Sequence, residues 1–161
     1  MKQIHLSVTK VLVTSGGAID SEVIDLSSGS AQCPPWANYP DSIKGATGGF
    51  AGLNPSIIVC GGEHPYNSDN IDKCYIVTPK KTEILTTMQS GRYDASSLIL
   101  KEKILWVCGG NNGRNVLSST EYIEIGSTAG PQMPAALEGH KMVAITDDLI
   151  LFIGGFSIYI G

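Results

Sequence analysis

Leu105-Trp106-Val107-Cys108-Gly109-Gly110 is a short apolar run closed by two glycines. An apolar run of that length, ended by a turn signal, reads as a strand buried on both faces. Three other stretches share this build: Val11-Leu12-Val13-Thr14-Ser15-Gly16-Gly17, Ile57-Ile58-Val59-Cys60-Gly61-Gly62 and Leu151-Phe152-Ile153-Gly154-Gly155. Their first glycines stand 45, 48 and 45 residues apart. A fixed period of that size marks a repeat architecture, in which each unit buries its apolar face only against its neighbours.

Other features recur in phase. After the first three glycine pairs comes a polar loop and a second strand: Glu22-Val23-Ile24-Asp25-Leu26, Cys74-Tyr75-Ile76-Val77 and Glu121-Tyr122-Ile123-Glu124-Ile125. A Pro- or Met-bearing stretch follows each, at Cys33-Pro34-Pro35-Trp36, Thr87-Met88-Gln89-Ser90 and Pro131-Gln132-Met133-Pro134. Next come Gly45-Ala46-Thr47-Gly48, Arg92-Tyr93-Asp94-Ala95 and Gly139-His140-Lys141-Met142, each opening another strand that turns back into the next glycine pair. The turns are Asn54-Pro55-Ser56, Lys101-Glu102-Lys103 and Thr146-Asp147-Asp148, residues that suit hairpin connections. Each period thus reads as four short strands, a to d, with the glycine pair closing strand b. No long segment shows apolar residues at helical spacing. The expected fold is all-β, and four strands per period is the pattern of a propeller blade.

In these features the chain resembles the kelch-repeat family: Gly-Gly after a strand, a Glu-Tyr strand, then a Met/Pro stretch and an arginine. The resemblance covers essentially the whole chain. It implies a partial kelch-type β-propeller of about three and a half four-stranded blades, at residues 1–36, 45–86, 94–134 and, in part, 141–161. Two features depart from the family pattern: a tryptophan after the third strand occurs only as Trp36, and the arginine only as Arg92, with counterparts expected near Lys44 and Gly139. Gly16, Gly17, Gly61, Gly62, Gly109, Gly110, Gly154 and Gly155 are expected to be architectural, allowing backbone angles and close approach that a Cβ forbids. Propellers close with roughly four to eight blades, so the open edges of a shorter run invite association.

Composition excludes several classes. Net charge is −4, and no basic cluster exceeds Lys80-Lys81, which disfavours nucleic acid. The longest apolar runs are strand-sized, so no membrane span is expected. The Gly-rich stretches at 48–52 and 109–113 lack the G-x-G-x-x-G spacing of a nucleotide loop.

Strand parity locates a working face. The b–c loops (Glu63 to Asp72, Asn111 to Ser119) and the d–a loops (Pro34 to Lys44, Thr87 to Tyr93, Met133 to His140) leave the sheets on the same side. On them His64, Tyr66, Arg92, Asn112 and Arg114 are the candidate binding residues, Arg and Tyr being favoured anchors at interfaces. The alternative for Arg92 is a brace within the blade. The resemblance implies a protein- or peptide-binding scaffold and not an enzyme. The competing expectation is a galactose-oxidase-like copper domain; only His5, His64 and His140 are available, and they assemble no complete ligand set. No cofactor and no metal are therefore expected.

Of the four cysteines, Cys33, Cys60, Cys74 and Cys108, none form the close pairs zinc requires. Cys60 ends a strand b and Cys74 lies in its antiparallel neighbour, so a disulfide between them is possible, and it would suit an extracellular protein. The family habit implies a cytoplasmic one.

Overall fold

The computed structural model describes residues 10–14, 21–25, 37, 43–50, 56–66, 69–101, 103–124, 126–146 and 148–157. Every regular element among them is a β-strand. Two four-stranded antiparallel sheets follow one another along the chain. The first contains β3 (Thr47–Phe50), β4 (Ile57–Cys60), β5 (Lys73–Val77) and β6 (Thr82–Thr87) in that order. The second contains β7 (Ser96–Leu100), β8 (Ile104–Cys108), β9 (Thr120–Ile123) and β10 (Ser127–Ala129). Each is flanked in sequence by a two-stranded sheet: β1 (Lys10–Thr14) with β2 (Ser21–Asp25) before, and β11 (Lys141–Thr146) with β12 (Leu149–Ile153) after. Among the described residues the chain thus forms two complete four-stranded sheets and two two-stranded ones. Gly16, Gly17, Cys33 and Trp36 lie outside the described residues.

Registers are equivalent in the two full sheets. Cys60 stands opposite Cys74 as Cys108 stands opposite Thr120. Alternation along the central strands sends side chains to both faces. Leu105 and Val107 of β8, with Ile123 of β9, pack back against Ile58, Cys60 and Met88 of the preceding unit. Trp106 and Cys108 face forward onto Ile150 and Phe152, with Trp106 edge-on to the Phe152 ring at 6.1 Å. Burial of side chains such as Leu105 and Ile123 contributes about 1.5–3 kcal/mol each.

The glycine pairs are where one sheet meets the loop leading to the next. Gly110, at φ +88°, donates its N–H to the carbonyl of Leu137 at 2.8 Å. Gly62, at φ +106°, does the same to Arg92 at 2.8 Å. A Cβ on the preceding glycine would run into that same carbonyl: Gly109 into Leu137, and Gly61 into Arg92. In these two pairs both glycines are required by backbone angle and by contact, since a Cβ on Gly62 or Gly110 would press on the Lys44 or Tyr93 carbonyl.

A second chain of bonds links the starts of the units. The Asp94 N–H donates to the Gly45 carbonyl at 2.9 Å, and the Gly139 N–H to the Asp94 carbonyl at 2.8 Å. Gly45, Asp94 and Gly139 share φ values of +67°, +50° and +66°, so they are equivalent positions. Asp is one of the few non-glycine residues tolerated there. This register refines the counterparts of Arg92, expected near Lys44 and Gly139, to Ile43 and Leu137, one residue before Lys44 and two before Gly139. The offset arises because the left-handed residue, not the arginine, is the fixed point.

One expectation about burial also changes. Strand b was expected to be covered on both faces, as β4 is. On β12, Leu149, Leu151 and Ile153 are exposed while Phe152 and Ile150 pack inward. Among the described residues no sheet follows β12, so only one of its faces is covered.

Candidate functional site

Three isolated antiparallel bridges join the two loop families on one side of the sheets: Lys44 to Glu63, Tyr93 to Asn111 and Glu138 to Phe156. Each pairs the residue before the left-handed position with the residue after a glycine pair. The same backbone frame therefore presents six side chains at equivalent places in three successive units, close to where the first strands β3, β7 and β11 pack together.

These side chains interact within and between units. Lys44 Nζ lies 3.0 Å from Glu63 Oε2. Asn111 Nδ2 donates to Glu138 Oε2 at 2.6 Å, although the two belong to successive units. Burial raises the pKa of the Tyr93 phenol, and the negative charges of Glu63, Glu138 and Asp94 add to the rise while Lys44 opposes it. Phe156 is 66% exposed beside them. None of these six stood out in the sequence. The signal was positional, since each follows a glycine pair or precedes a left-handed residue.

The sequence-predicted residues fall differently. His64 and Tyr66 share the first b–c loop, with ring centroids 5.7 Å apart, and Tyr66 is 87% exposed. Asn112 and Arg114 share the second. Asn112 Oδ1 accepts the N–H groups of Arg114 at 3.0 Å and Asn115 at 2.8 Å, closing the turn. Asn70 Nδ2 donates to the Asn112 carbonyl and so ties the two loops side by side.

Arg92 is not a surface group. It is 1% exposed. Nη1 donates to the carbonyls of Gly109 at 3.0 Å and Ser119 at 2.9 Å, and Nη2 to Glu121 Oε1 at 2.6 Å. Glu121 in turn accepts the N–H groups of Gln89 and Ser90. The loop after β6 is thereby clamped onto the following sheet, which is the bracing alternative. In the preceding unit Ile43 occupies the place of Arg92 and Tyr75 that of Glu121, and both lie in one apolar cluster. A hydrogen-bonded ion pair thus stands where the previous unit has an apolar pair.

Cys60 and Cys74 are joined by a disulfide across β4 and β5. Cys108, the counterpart of Cys60, faces Thr120 and is a free thiol pushed up to about 12 by burial. His140 is fully buried, neither ring nitrogen has a protein partner, and its ring stacks on Phe152 at 5.7 Å. Burial lowers its pKa, with Lys141 adding to the effect. His5 lies outside the described residues. Among the described residues no group of three or more His, Cys, Asp or Glu side chains is arranged to hold a metal ion, and no helix is long and apolar enough to cross a membrane.

No family model matches the chain, and no curated protein does. Among solved structures the chain is similar to that of YjhT, with a TM-score of 0.69 at 11% identity over 84% of this chain. At that identity the likeness shows a shared fold. The match spans 54% of the YjhT chain, so this chain covers about half of that fold.

Two outcomes are expected from this geometry. Replacing Arg92 by Leu leaves the buried Glu121 carboxylate without its cation and is expected to cost about 3–5 kcal/mol in urea unfolding. The double change Arg92→Ile with Glu121→Tyr copies the preceding unit and is expected to recover most of that loss. A double variant no more stable than the single one contradicts the equivalence. The second outcome concerns acid. The His140 pKa is lowered below its ordinary value of 6.5, so the unfolded chain takes up the proton first. Stability complete at neutral pH is therefore lost as pH falls through 6.5 and below. His140→Ala, which copies Ala46 and Ala95, is expected to flatten that part of the pH–stability curve. An unchanged curve places the acid sensitivity elsewhere.

Proposed function

We propose that the consecutive sheets are blades of a kelch-type β-propeller, about three and a half of them, and that the chain is a non-enzymatic scaffold binding a protein or peptide on the side where the b–c and d–a loops meet. The observation that carries this is the set of three bridges: one backbone frame, repeated, displays a different side chain at each equivalent place. A rigid frame with variable tips is how loop-borne recognition is built. The likeness to a solved fold, the repeated glycine pairs and the bonds between unit starts support the propeller.

Tyr66, on a loop tip, and Tyr93 and Phe156 supply aromatic area of the kind that dominates interface energetics. His64, Asn112 and Arg114 would form the outer part of that surface, with the Lys44 to Phe156 cluster as its centre. Arg92 supports the surface from beneath. A Cys60–Cys74 disulfide suits an oxidising compartment.

The test uses a partner captured on the full chain, then purified and re-bound. Binding is expected to survive Lys101→Ala with Asp148→Ala on the opposite hairpins. It is expected to drop by at least about 2 kcal/mol on Tyr93→Ala with Phe156→Ala, the range of an interface hot spot. The reverse pattern contradicts the location, and stoichiometric copper in the purified protein contradicts the scaffold reading.

A further inference from the structure

We infer that the centre of this face, bounded by Tyr93, Asp94, Glu138 and Phe156, receives a cationic side chain, the guanidinium or ammonium group of a basic peptide. The inference rests on the proposed peptide-binding face and adds the chemistry of the group that enters it.

The charge balance at this place is set by which cations are already engaged. Lys44 is held by Glu63 at 3.0 Å. Arg92, the neighbour of Tyr93, is buried and held by Glu121 at 2.6 Å. Glu138 and Asp94 are left. Glu138 gives only Oε2 to Asn111, a neutral donor. Asp94 is exposed and sits at a left-handed position fixed by bonds to Gly45 and Gly139. Two carboxylates without a cationic partner among the described residues thus stand in successive units. Both sit on backbone held by hydrogen bonds, Asp94 to Gly45 and Gly139, and Glu138 to Phe156.

The aromatic groups favour the same ligand. Tyr93 lies in the field of three carboxylates, and Phe156 is exposed beside the Glu138 backbone to which it is bridged. Aromatic rings near carboxylates attract a guanidinium or ammonium both by charge and by cation–π contact. An acidic peptide would meet uncompensated like charge here, which costs affinity and suppresses wrong partners.

Random peptides displayed on phage and panned against the full chain test this. Selected sequences are expected to carry Arg or Lys. The best of them, synthesised and titrated by fluorescence anisotropy, is expected to bind about tenfold more weakly to Asp94→Asn with Glu138→Gln, and to weaken as salt rises from about 0.05 to about 0.5 M. Both substitutions keep the fold: Asn tolerates the left-handed angle, and Gln keeps the acceptor for Asn111. Selected peptides that are neutral or acidic, and that bind the double variant unchanged, overturn the cation inference and leave the peptide-binding face standing. Failure to select any peptide contradicts both.

Discussion

The N–H of the second glycine in the pairs Gly61-Gly62 and Gly109-Gly110, bonded to a carbonyl of the next unit, is the contact on which the rest of the arrangement depends. Gly62 to Arg92 and Gly110 to Leu137 are equivalent bonds of 2.8 Å. Each brings the end of strand b so close to the next connecting segment that a Cβ on the preceding glycine cannot be accommodated. With that distance set, the forward face of one sheet meets the backward face of the following one. Ile58 and Cys60 are covered by Leu105 and Val107, and Trp106 and Cys108 by Ile150 and Phe152. The same close approach lines up the left-handed residues Gly45, Asp94 and Gly139, and with them the side chains that make the candidate site.

Around this fixed backbone the side chains vary in matched sets. Ile43 and Tyr75 in one unit become Arg92 and Glu121 in the next. Cys60 with Cys74 becomes Cys108 with Thr120, whose hydroxyl donates instead to the Pro131 carbonyl at 2.8 Å. A buried guanidinium is tolerable only because Gly109, Ser119 and Glu121 supply acceptors, since an unpaired buried charge costs several kcal/mol. The alanine slot at Ala46 and Ala95 becomes His140, and here no protein partner accompanies the change. These are different solutions to one packing problem, and they explain how units with little internal sequence identity share a frame.

The strands, their antiparallel order and the two full sheets were legible from the period of the glycine pairs, because turns and apolar runs are local signals. That the b–c and d–a loops leave the sheets on one side was legible from strand parity alone. The role of Arg92 was not: an arginine in a loop gives no local sign of burial, and the carboxylate that receives it lies 29 residues away. The cluster from Lys44 to Phe156 was invisible for a related reason. Its members share a backbone position and no residue type, so nothing in composition or motif groups them. The open face of β12 reflects its lack of a neighbouring sheet among the described residues, and periodicity does not encode neighbours in space.

Native-state hydrogen exchange at the backbone amides of Gly62, Gly110, Asp94 and Gly139 tests the central contact most directly. These amides bond from one unit to the next, so they are expected to exchange only with global unfolding, at a free energy equal to that from chemical denaturation. Exchange at the rate of exposed loop amides, with the strand amides still protected, would show separate sheets that do not dock and would contradict the account.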